Sequence, residues 1–202
     1  MNKRVSRVVW SAAAGAIGAG VGLYAGWGAG PGVSLLLISA NVQLSRETSA
    51  LLIDSTRWLL LGLFVAVSLA VTAVRRNRAR FVLLSVLGFA LGGVVTSLLV
   101  VSSANRAGVV PSLAVPVGGA VAGLLMGLGA GLRSRSLVMA LAAAIALVVG
   151  AQFIDPRSSA LLPPPQRLSP AEWIALLVPG ALIGAALAGL LPAEAEAAPA
   201  EA

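Results

Sequence analysis

Five ionisable residues stand at the borders of the chain's apolar runs, where one end of a helical bundle would gather them: Asp54, Arg57, Arg106, Asp155 and Arg157. Asp54 and Arg57 are three apart, a spacing that lets a carboxylate and a guanidinium pair on one helix. Enzymes that act on polyprenyl or alcohol phosphates hold magnesium between grouped carboxylates. The acidic residues here, Glu47, Asp54, Asp155 and Glu172, are isolated from one another in sequence. The plainer reading pairs Asp54 with Arg57 and leaves Glu172 to support a helix start. The five residues are therefore candidates for binding a lipid headgroup or solute at an outer mouth. No catalytic, cofactor or metal-binding residue is assigned.

Histidine and cysteine are both absent. That excludes disulfides and zinc sites built on thiolate or imidazole. It also removes the commonest general base, so Ser11, Ser68, Thr72, Ser85, Thr96, Ser97 and Ser112 have no imidazole to activate them as nucleophiles. These hydroxyls are expected to bond back to their own helix or across to a neighbour. No Asp, Glu, Lys or Arg lies inside an apolar run away from its ends. Proton relays and ion-coupled pumps depend on such residues.

The elements that position these groups follow from composition. Only 10% of the 202 residues are charged and 58% are hydrophobic, against about 25% charged in an ordinary soluble domain. Too little polar surface exists to cover a globule in water, which predicts an all-α integral membrane protein. The central stretch is Ser112 to Gly131, where Gly119, Gly123, Gly127 and Gly131 recur every fourth residue. Residues four apart share one helix face, so these would leave a bare stripe for close backbone approach. Similar rows occur at Ala14, Gly18, Gly22 and Gly26, at Gly88, Gly92 and Thr96, and at Gly180, Gly184 and Ala188. With 23 glycines in the chain, a single such match would mean little. A strict register in one run with rows in three others points to helix packing within the monomer ahead of self-association.

Six membrane spans are expected, over residues 8–28, 58–74, 81–102, 109–132, 137–154 and 171–191. They follow a basic amino end (1–7) and precede a disordered acidic tail (192–202). The amino end has the outline of a signal peptide, but its apolar run of about 21 residues exceeds a signal core and marks a retained span. After Gly28-Ala29-Gly30-Pro31-Gly32, the apolar segment 33–44 is too short to cross a bilayer core of about 30 Å. It is read as an interfacial or re-entrant part of a loop reaching to residue 56. Ser45 or Thr48 would cap the next helix, and Pro116 and Pro179 would each remove a backbone donor from a span.

Lys3, Arg4, Arg7, Arg75, Arg76, Arg78, Arg80, Arg133 and Arg135 fall on one side of this threading. Arg46, Arg57, Arg106, Arg157 and Arg167 are spread over the longer links of the other. The dense side is cytoplasmic under the positive-inside rule, which places both termini inside. The net charge of +7 lies in short clusters, not along an aromatic-lined groove, so nucleic acid is not an expected partner. The Ala, Gly, Val and Arg bias is that of a high-GC source, and the expected location is the cytoplasmic (inner) membrane of a bacterium. The expected partners are the bilayer and another membrane protein, with oligomers allowed and no cofactor. The leading functional reading is a non-enzymatic accessory or assembly subunit of a membrane complex. A transporter or channel component for a small uncharged or lipid-like solute is second, and a lipid-modifying membrane enzyme third.

Overall fold

The computed structural model describes residues 3–42, 44–74, 77–103, 110–151 and 170–192. Among them there is no strand. Six α-helices follow in order: α1 (Lys3–Ser39), α2 (Arg46–Thr72), α3 (Arg78–Ser103), α4 (Val110–Gly129), α5 (Ser136–Ala151) and α6 (Pro170–Leu190). A single 3-10 turn, Arg133–Arg135, joins α4 to α5. Each helix packs on its neighbours in the chain, and α6 returns to α1, so the six close into a ring.

Four of the helices contain segments long and apolar enough to cross a membrane: Arg4–Ser39, Leu51–Thr72, Arg78–Leu99 and, with the 3-10 turn included, Arg133–Gly150. The other two contribute the shorter apolar stretches Ala114–Gly129 and Leu177–Leu190. Apolar side chains cover the outside of the ring, including Ile17, Val71, Leu83 and Leu141. An outer surface of this kind suits a hydrocarbon solvent.

Inside, the largest fully buried side chains are Phe81, Leu69, Met126, Met139, Leu187 and Val65. Phe81 and Met139 lie in the opening turns of α3 and α5, while Leu69, Met126 and Leu187 lie in the closing turns of α2, α4 and α6. The bulky part of the core is thus gathered at the end where the chain turns through arginine-rich links. Deeper in, most buried positions are small (Ala19, Ala114, Ala122, Ala143 and Ala146), with Phe89 and Ile183 among them.

The largest departure from the sequence expectation concerns residues 29–56. In place of a loop with an interfacial segment, α1 runs unbroken through Pro31 to Ser39, and α2 begins at Arg46. Pro31 has no N–H to donate to the carbonyl four residues back, yet the helix persists because α2 lies along it. A Cβ on Gly26 would sit 3.2 Å from the Cα of Arg57, and one on Gly30 would sit 3.4 Å from Ile53. Tertiary contact overrides local propensity here.

The turn between these arms is a Schellman motif. Asn41 takes the left-handed conformation (φ 52°), its N–H donates to the Ile38 carbonyl at 3.0 Å, and that of Val42 to Leu37 at 3.0 Å. Ser45 then caps α2, its hydroxyl accepting from the Thr48 N–H at 3.1 Å. The basic amino end is also helical from Lys3 onward, so the boundary expected at residue 7 does not interrupt the helix.

Candidate functional site

Helix contact surfaces built on glycine are the most specific feature of the ring. On α1 two stripes lie side by side. Gly18, Gly22 and Gly26 face α2: added Cβ atoms would meet the Phe64 carbonyl at 2.8 Å, the Leu61 Cα at 2.8 Å and the Arg57 Cα at 3.2 Å. Gly15 faces α6 instead, and a Cβ there would run into the Gly180 carbonyl, as one on Gly180 would into that of Gly15. One turn nearer the amino end, Gly184 is pressed against the Ser11 carbonyl.

Helix α4 divides its glycines in the same way. Gly119, Gly123 and Gly127 face α5, with the Leu147 methyl, the Met139 carbonyl and the Ser136 Cα at 2.5, 2.6 and 2.9 Å from the added Cβ positions. Gly118 turns to α3, where it abuts Gly92 and the Thr96 hydroxyl. That hydroxyl is buried and donates both to its own helix at Gly92 (2.8 Å) and across to the Ala114 carbonyl of α4 (3.2 Å). Close backbone approach and an interhelical hydrogen bond therefore coincide at one point.

Gly131 does not belong to this stripe, which corrects its placement on the packing face. It has φ +80° and open space where a Cβ would stand. Its N–H donates to the Leu128 carbonyl at 3.2 Å and that of Leu132 to Gly127 at 2.9 Å, the two bonds of a Schellman stop. The four-residue period runs through it because the helix ends one step short of the next rung.

At the arginine-rich end, three guanidinium groups converge on the last turn of α6. Arg7 donates to the carbonyls of Ala188 (3.2 Å), Leu191 (3.1 Å) and Pro192 (3.4 Å). Arg4 reaches Gly189 at 3.4 Å, and Arg135 reaches Leu190 at 3.1 Å. Five consecutive carbonyls that a helix end would otherwise leave open are thus taken by charged donors from α1 and the α4–α5 turn. The negative end of the helix dipole favours the same arrangement. In the sequence these arginines are accounted for by topology alone. The available signal was register: Arg4, Arg7, Ser11 and Gly15, spaced three and four apart, form the stripe of α1 that meets α6.

At the opposite end, the structure brings Asp54 and Arg57 together. The Arg57 Nη1 lies 3.2 Å from the Asp54 carboxylate, with both side chains partly exposed. The guanidinium also stacks over Trp27 of α1, 4.8 Å from the ring centroid. Arg106, Asp155 and Arg157 lie outside the described residues, so the wider cluster proposed from sequence has only this pair in view. Among the described residues no group of three or more acidic side chains could hold a metal ion.

No family model, curated protein or solved structure matches this chain. Any functional assignment must come from the geometry itself.

Ser34, Thr56 and Thr72 each bond back to the carbonyl four residues earlier. The hydroxyls of Ser11 and Ser85, both fully buried, have no hydrogen-bond partner among the described residues.

Proposed function

We propose that this chain is a polytopic membrane protein of six spans, both termini on the arginine-rich cytoplasmic side, acting as a non-enzymatic accessory subunit that grips another membrane protein. The length of α1 carries this reading. Its 37 residues extend about 56 Å at 1.5 Å per residue, well beyond a hydrocarbon core of about 30 Å. With Arg7 held at the basic end, the far interface falls near Trp27 and the Arg57–Trp58 pair, where aromatic and cationic side chains suit headgroups. The remainder of α1 and the first turns of α2 then form a helical hairpin about 17 Å tall outside the membrane, by the same rise per residue.

This hairpin does not have the surface of a water-soluble projection. Leu35, Leu36 and Ile38 are 67, 69 and 74% exposed, and Val42 at its tip is also exposed. An apolar row held clear of lipid fits a protein partner that offers an apolar face of its own. The buried Phe81, Leu69, Met126, Met139 and Leu187 fill the interior at the basic end, which favours a gripping role over a solute conduit.

A photoreactive amino acid placed at position 36 tests this reading in native membranes, with Leu141 on the outer face of α5 as the comparison. A discrete protein adduct at 36, absent at 141 and lost on Ile38→Glu, is the expected result. Lipid adducts alone at both positions would overturn it.

A further inference from the structure

A Cβ on Gly129, in the last turn of α4, would lie 3.1 Å from the Cα of Phe81 in the first turn of α3. That contact brings Arg80 beside the turn that joins α4 to α5, where Arg133 stands four residues beyond Gly129. The other arginines described at this end are already engaged. Arg4, Arg7 and Arg135 hold carbonyls of α6, and the Arg78 Nε donates to the Val74 carbonyl, just past the end of α2, at 2.9 Å. Arg80 and Arg133 are exposed and have no hydrogen bond or ion pair with another described residue. On the path from Gly129 to Arg133, Gly131 is exposed with nothing within 4 Å of its Cβ position, which leaves the turn open there. The described acidic residues, Glu47, Asp54 and Glu172, lie in the first half of α2 or the first turn of α6, at the opposite end.

From this open turn an apolar trough runs toward the middle of the bundle. Its walls are outward side chains of α3 and α5. Leu87 and Leu91 follow Arg80 by seven and eleven residues, and Leu137 and Leu141 follow Arg133 by four and eight, and all four are exposed. Such intervals keep a column of side chains on one helix face. The floor is α4, where Leu124 and Leu128, on the side away from the buried Met126, are only partly exposed.

We infer that this trough holds one anionic phospholipid, its phosphate between Arg80 and Arg133 and an acyl chain along Leu124 and Leu128. The inference rests on reading the basic end as the cytoplasmic headgroup level. Guanidinium groups recognise phosphate through paired, charge-assisted hydrogen bonds. Phosphatidylglycerol presents a net negative charge to them, whereas the phosphate of phosphatidylcholine is balanced by its own choline.

Native mass spectrometry of the full chain, released from nanodiscs into mild detergent, reads the lipid adduct directly. Each basic residue near an anionic lipid surface is worth about fivefold in affinity, so phosphatidylglycerol should bind as a single-lipid adduct about 30-fold tighter than phosphatidylcholine. Arg80→Gln or Arg133→Gln should each lower that preference about fivefold, and the double variant should abolish it. Arg46→Gln in the first turn of α2 removes the same charge from the far end and should leave the preference unchanged. A wild-type elution volume for each variant checks that the fold is retained. Equal adducts with the two lipids in the wild type, or a preference that survives the double variant, would overturn the proposal. Displacement of the adduct by inorganic phosphate would overturn it too, since an anion site without acyl contact would remain. Failure of the chain to enter nanodiscs would remove the spanning reading, and this proposal with it.

Discussion

Gly15 of α1 and Gly180 of α6 meet backbone to backbone, each occupying the space that a Cβ on the other would need. Dispersion between main chains at this range takes the role that water exclusion has in a soluble core. It also fixes a single register, because α1 and α6 touch again at Ser11 and Gly184 one turn on.

Gly15→Val or Gly180→Val should therefore open the α1–α6 seam. Backbone atoms block the added side chain, and no flexible neighbour can yield. The variants are expected to lose monodispersity in mild detergent and to melt well below the wild type. Gly189→Ala, where nothing lies within 4 Å, should leave the melting temperature unchanged. Size-exclusion profiles after graded heating check both.

Gly131→Ala should destabilise for a different reason. The left-handed backbone there costs an L-residue roughly 1–2 kcal/mol, although the site has ample room. Gly131→Asn should recover part of the loss, since asparagine tolerates that conformation and Asn41 already occupies the equivalent position after α1. The ordering wild type, Asn, Ala in a thermal melt is the expected readout.

Arg7→Gln should loosen the last turn of α6 without disturbing the centre of the bundle. Hydrogen bonds to a charged donor are worth about 1.5–3 kcal/mol each in favourable cases, and Arg7 serves three carbonyls. Lysine at position 7 should not restore the wild-type value, because one ammonium cannot reproduce the planar fork. Hydrogen exchange of residues 186–191 should quicken in both variants, while that of α3 stays constant.

Ser85→Ala is expected to be neutral or stabilising by up to about 1 kcal/mol. The hydroxyl is fully buried and finds no partner among the described residues, so its removal relieves a desolvated polar group. Thr96→Val should act in the opposite direction, since it deletes the bond to Ala114 as well as the one to Gly92. Comparison of the two melts separates an idle hydroxyl from a bonded one.

What the sequence made legible was mostly periodic. The four-residue spacing of Gly18, Gly22 and Gly26, and of Gly119, Gly123 and Gly127, identifies faces without stating which neighbour they meet. Only the ring topology assigns those partners. The Asp54–Arg57 spacing identified a pair, but nothing local announced that Trp27 would lie beneath the guanidinium. The segment 29–39 misled because Gly28, Gly30, Pro31 and Gly32 argue for a break, and the support that keeps the helix going arrives from α2. Arg4 and Arg7 misled in another way: charge near an apolar run already has a sufficient explanation in topology, which hid their bonds to a helix end some 180 residues away.

Because the first and last helices are neighbours, the ring can be sealed only once residue 192 has been made. Until then α1 carries an uncovered strip from Arg7 to Gly15, and Arg7 lacks the α6 carbonyls that it bonds in the closed ring. Biogenesis thus leaves one open flank throughout synthesis, and α6 acts as the keystone whose arrival converts a row of hairpins into a closed cylinder.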